Sequence, residues 1–174
     1  MTTGARALGR SFDIVSGIVP VNLNTGANTG ARVHLKNCGG VTIVVYAGVG
    51  TAASDLAVDL QEHSAATGGV SQDLDIVTTY FSKQELTLDG DETWSAHTQS
   101  PAASEIADIG AVGTSAELQN LAVIEVSAAQ LSDGFGWISL NIPQPGATKL
   151  GCAFYILHDL QVQRTPQNLV DPQA

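Results

Sequence analysis

The chain has 174 residues, with 7 basic against 17 acidic side chains and a net charge of −10. That length fits one domain with a core able to stand without metal or disulfide support. A hydrophobic content of 44% excludes a disordered chain. The sign of the charge argues against direct nucleic-acid binding, which rests on neutralised phosphates.

Residues 1–10 are small, polar and basic, and read as an extended N-terminal arm. Residues 1–36 hold Arg6, Arg10, Arg32 and Lys36 against Asp13, while 37–174 hold three basic and 16 acidic residues. Chance plus solubility accounts for this split. So does a basic arm that docks on an acidic surface, such as a neighbouring copy. No run approaches the roughly 18 apolar residues of a membrane span. The first residues, MTTGARALGRSF, lack the apolar centre of a secretory signal. The expectation is a soluble protein made in a cytoplasm, with no membrane partner.

Ser11 to Asn24 alternates as one long strand or two short ones, and Pro20 places an edge or a bend within it. Thr25 to Ala31 is a turn by its Gly and Asn content. Arg32 to Lys36 alternates again. Val41 to Tyr46, VTIVVY, has the profile of a strand covered on both faces. Leu56, Val58 and Leu60 alternate against Asp55, Asp59 and Gln61, giving a strand with one wet face.

Leu74 to Gln84 reads as a strand, and Leu86 to Leu88 as a short one. Asp89-Gly90-Asp91 turns the latter into a strand over Glu92 to His97. Residues 99–118 read as a long surface excursion with one short strand at Glu105 to Ile109. An excursion of that length is usually functional. Leu121 to Val126 resumes the alternation. Ser127 caps one helical turn through Leu131, and Phe135 to Ile142 and Leu150 to Leu157 are core strands. The tail, residues 165–174, is polar and reads as extended. About ten short strands between turn signals point to an antiparallel sandwich or barrel over residues 11–164.

Candidate chemistry is sparse. No Gly-x-Ser-x-Gly elbow and no phosphate-cradling loop occurs. His34, His63, His97 and His158 are widely separated. Asp89, Asp91 and Glu92 cluster around Gly90 but lack the spacing of a calcium loop, so a solvated turn is the simpler reading. Cys38 and Cys152 follow no zinc spacing and read as buried free thiols. Trp94, Trp137, Tyr46, Tyr80 and Tyr155 could line a sugar-binding face or serve as core anchors. The expectation is no enzyme, no metal and no cofactor.

The run IEVSAAQLSDGFGWISLNI (124–142), followed by LGCAFYILHDLQVQR (150–164), resembles small virion structural proteins of tailed bacteriophages. The family's "A-x-x-L-D-x-G-F" turn corresponds to Ala128, Leu131, Asp133, Gly134 and Phe135, with a serine, Ser132, standing before the aspartate. Its "LG-x-x-x-Y-x-L" strand and final arginine correspond to Leu150, Gly151, Tyr155, Leu157 and Arg164. CGGVTIVVYAGVGTAASDLAVDLQEH (38–63) and TYFSKQELTLDGDETWS (79–95) are similar to the same group, so the resemblance spans roughly residues 8–168. It consists of many moderate matches rather than one diagnostic motif.

The resemblance implies a capsid decoration, or cement, protein on the outside of the virion head. Such a protein is β-rich, non-enzymatic and often a homotrimer, and its partner is the major capsid protein. The expected fold is an all-β, antiparallel jelly-roll-like β-sandwich with one short helical turn and extended termini. Arg6, Leu8, Arg10 and Phe12 are the expected contact residues with the capsid or a sister subunit. A tail-tube or head–tail connector subunit is the alternative within the virion. A carbohydrate-binding module is the alternative outside it.

Overall fold

The computed structural model describes residues 7–110 and 115–174. Among them the chain forms β1 (Phe12–Asn22), β2 (Asn28–Thr29), β3 (Val33–His34), β4 (Gly40–Ala47), β5 (Val58–His63) and β6 (Ser71–Asp73). It continues with β7 (Val77–Glu85), β8 (Ser95–Ala103), β9 (Glu105–Ile106), β10 (Gln119–Ser127), β11 (Trp137–Ile142) and β12 (Leu150–His158). The only helical pieces among the described residues are 3-10 turns.

The strands form two antiparallel sheets packed face to face. One has the order β1-β12-β4-β10-β7-β8. The other has the order β2-β11-β5-β6, with β3 also on β11 and β9 also on β5. The chain changes sheets between β1 and β2, β3 and β4, β4 and β5, β6 and β7, β8 and β9, β9 and β10, β10 and β11, and β11 and β12. That alternation is the jelly-roll arrangement expected from the sequence. The β7–β8 hairpin extends the first sheet beyond β10.

Period-two alternation places the core. Val41, Ile43, Val45 and Ala47 of β4 point inward and are fully buried, beside Ala122, Ile124 and Val126 of β10. Val58 and Leu60 of β5 and Ile138, Leu140 and Ile142 of β11 meet them from the other sheet. Tyr155 of β12 crosses between the sheets: its hydroxyl oxygen accepts from the Leu140 amide at 2.9 Å. Leu140 lies where β11 passes from its pairing with β3 to its pairing with β2. Gly30 fills the same gap, donating its amide to the Leu140 carbonyl at 2.9 Å.

Several local expectations are met. Pro20 sits in β1, an edge strand whose pairing with β12 shifts register twice. Ser127 caps a turn at Ala128–Gln130, and the Gln130 side chain returns to accept from the Ser127 amide at 2.8 Å. The tail, by contrast, departs from a simply extended reading: it carries a 3-10 turn at Pro166–Asn168 and then returns to the fold. There the His34 amide donates to the Pro172 carbonyl, and the Gln173 amide group donates to the Ser16 carbonyl.

Others are corrected. Leu86 to Leu88 is not a strand: β7 ends at Glu85, and the chain loops until Ser95. Leu86 is 64% exposed, so this pattern had no core to face. The start of the 99–118 excursion is ordered edge structure, because β8 runs through Ala103 and β9 follows at once. Cys38 is buried, but Cys152 is only half-buried. Finally, β4 is covered on its inner face alone; Thr42 and Val44 are half-buried and Tyr46 is exposed.

Candidate interaction surface

The outer face of the first sheet, β1-β12-β4-β10-β7-β8, carries the least expected chemistry in the fold. Register fixes which side chains stand side by side there. Ser16 of β1 pairs with Phe154 of β12, Phe154 with Val44 of β4, and Val44 with Val123 of β10. Val123 then pairs with Phe81 of β7, and Phe81 with Ala96 of β8. One row of side chains without a charge therefore crosses the whole sheet.

The rows on either side continue it. On one side run Ile14, Ile156, Thr42 and Glu125; on the other run Cys152, Tyr46, Leu121 and Lys83. Ile14 is 54% exposed, and Phe154, Tyr46 and Phe81 are each 37–39% exposed. Leu150 at the start of β12 is 63% exposed and Trp94 before β8 is 49% exposed. Lys83 holds its ammonium 5.1 Å from the Trp94 ring centroid.

An outward face of an antiparallel sheet normally reads polar. Here Lys83 and Glu125 are the charges within the three central rows, on a chain whose net charge is −10. Contiguous apolar exposure of this kind marks a contact site. The sequence hint was present in VTIVVY, whose apolar residues fill both sides of β4.

The other expected site residues fall elsewhere. Arg6 lies outside the described residues. Leu8 and Arg10 sit in a tight turn, in which the Arg10 and Ser11 amides donate to the Ala7 carbonyl. The Gly9 carbonyl at the centre of that turn accepts from the Arg164 amide at 2.8 Å. Phe12 is half-buried at the start of β1, at a corner of the apolar face. Leu8, Arg10 and Phe12 thus do not form one free extended arm.

The five candidate sugar-binding aromatics are scattered. Tyr80 and Tyr155 are buried core residues. Trp137 belongs to the opposite sheet and stacks on His34 with ring centroids 4.5 Å apart. Trp94 and Tyr46 alone share the outer face.

The polar clusters are largely self-satisfied. His63 is buried between two hydroxyls, with Nδ1 2.8 Å from Ser71 Oγ and Nε2 2.9 Å from Ser139 Oγ. Burial, then the nearby Arg32 charge, lowers its pKa to about 4 against the pull of Glu62. Glu62 is buried beside it and accepts from the Gln72 side chain and the Ser132 amide. Arg32 donates to the Ala65 and Gly68 carbonyls and to Ser71 Oγ, which ties the β5–β6 loop down.

Lys149 is fully buried and donates to the Ala116 carbonyl at 2.9 Å. Its pKa is lowered by burial and supported by Asp108 and Asp55. Glu85, Asp91 and Glu92 bring carboxylate oxygens together at the β7–β8 loop. Glu92 is already engaged, accepting from the Asp89 and Gly90 amides, as a solvated turn does. The Cys38 thiol is pushed up to about 11, mainly by burial, which leaves it little thiolate.

No protein-family model matches the chain, and no curated protein matches it significantly.

Proposed function

We propose that the protein is a virion structural protein of a tailed phage, a capsid decoration protein that binds the outside of the assembled head. The apolar outer face of the first sheet carries the reading. A surface so poor in charge, on so acidic a chain, suits a subunit of an assembly rather than a free monomer. The jelly-roll frame and the resemblance over residues 8–168 support the same reading.

The action is thermodynamic. Many copies bind the assembled shell and not its dissociated subunits, so they stabilise it by mass action. Contact with the major capsid protein falls to the basic N-terminal segment, with Arg6, Leu8, Arg10 and Phe12. Its positive charge stands apart from the acidic remainder of the chain. No direct nucleic-acid contact, membrane or cofactor enters this mechanism.

Purified protein added to shells that lack it is expected to raise their disruption temperature, read by light scattering or dye release. Absence of binding to intact shells overturns the reading.

A further inference from the structure

We infer that the outer face of the first sheet, β1-β12-β4-β10-β7-β8, pairs with the same face of a second copy, about a two-fold axis running across the strands along the central row. The inference stands independently of the virion reading, because it uses only the face itself.

Size is the first argument. Six strands at about 4.8 Å spacing span roughly 24 Å, and the rows from Ile156 to Leu150 run roughly 20 Å along the strands. The flat footprint is then on the order of 500 Å², and side-chain relief lifts the accessible area toward the about 800 Å² per partner of a stable interface. The patch is therefore large enough for a whole sheet face rather than a single peptide.

Composition is the second. The core of an interface between copies is apolar, aromatic and depleted in charge. The central row, Phe154, Val44, Val123 and Phe81, has that character. Stacking two such faces reproduces the packing of a sandwich core, with sheets about 10 Å apart and strands within about 30° of each other. An acidic chain repels its own copies at most surfaces. This face removes that repulsion where two copies would meet.

The placement of the two charges is the third, and it fixes the axis. Glu125 lies one row above the central row on β10. Lys83 lies one row below it on the neighbouring strand β7. A two-fold axis along the central row turns the upper row of one copy onto the lower row of the other. Glu125 of each copy then faces Lys83 of its mate across the gap between the sheets, offset along the face by about one strand spacing, roughly 5 Å, which the two long side chains can span. Neither side chain has an ion-pair partner among the described residues. Both charges of the face are thus matched twice by one operation.

Sedimentation equilibrium and light scattering on the purified full chain test this. The expected mass is twice the 18.0 kDa of the chain. A charge in the central row, Phe81→Glu, is expected to weaken association by about 100-fold or more. Circular dichroism checks that this variant keeps its fold. Glu125→Lys and Lys83→Glu alone are each expected to weaken the pair, and the double exchange to restore it. That restoration depends on the axis and does not follow from altered folding.

A monomer at high concentration overturns the inference, as does a trimer indifferent to these substitutions. So does a wild-type monomer whose binding to shells is lost in Phe81→Glu, since the occupant is then the capsid protein. A dimer that ignores shells keeps the inference and removes the virion reading.

Discussion

Tyr155 and Gly30 show how single residues hold the two sheets in register. The Leu140 amide points between sheets at the break between β2 and β3, and the Tyr155 hydroxyl is its acceptor. Burial raises the Tyr155 pKa to about 12, so it stays neutral. Tyr155→Phe keeps the ring and leaves a buried amide without a partner, at a cost of about 1–3 kcal/mol. Urea unfolding checks it, with the midpoint lowered and the slope unchanged. At Gly30 an added Cβ would lie 2.3 Å from the Leu140 carbonyl oxygen and 2.8 Å from the Tyr155 hydroxyl. The carbonyl is backbone in a central strand and cannot swing away. Gly30→Ala is therefore expected to destabilise more than Tyr155→Phe in the same assay.

His63 sets a pH dependence with a definite sign. Its ordinary pKa of 6.5 falls to about 4 in the fold. Between these values the unfolded chain binds a proton that the folded one refuses, so stability rises with pH there. The contribution is complete above pH 6.5 and is lost as pH falls toward 4. Asp59 has a raised pKa, chiefly from burial, and works in the opposite sense. The difference between wild type and His63→Gln isolates the histidine. The variant's unfolding midpoint is expected to fall less steeply than wild type between pH 6.5 and 4; parallel curves would assign the dependence to other groups.

At the scale of elements, the strands with an inner apolar face were legible and the exposed polar ones were not. β4, β10, β11 and β12 announce themselves because their alternating residues have a core to meet. β6, Ser71–Asp73, is exposed at every position and is held by its ladder to β5 and by polar side-chain bonds from Ser71 and Gln72. Nothing in its side chains signals a strand. The apolar face was half legible: VTIVVY said that both sides of β4 are apolar. Its assembly from Phe81, Val123 and Phe154 depends on a strand order that residues far apart in the chain do not encode locally. The tail illustrates the same limit, since its return to β3 rests on backbone groups. Removing residues 165–174 is expected to leave the sheets folded and to speed hydrogen exchange at the His34 amide, which loses the Pro172 carbonyl. The Ile43 amide, inside the central strand β4, is expected to keep its protection.

At the scale of the whole molecule, the chain closes on itself late. β12, the last strand, lies between β1, the first, and β4. The wide sheet therefore cannot be completed until almost the entire chain is present, and its defining pairings join distant segments. Loop-closure entropy opposes such pairings until burial compensates. Without β12, β1 has no partner strand, and β4 exposes the ladder groups that β12 satisfies from Gly40 to Ala47. The inner face would also lose Ala153, Tyr155 and Leu157, and with Tyr155 the bond to Leu140. A chain ended at residue 148 is therefore expected to show no cooperative thermal transition, whereas a chain ended at 164 retains one. Calorimetry on the two truncations distinguishes them, and a sharp transition in the shorter chain would mean that β10, β4 and the opposite sheet form a core by themselves.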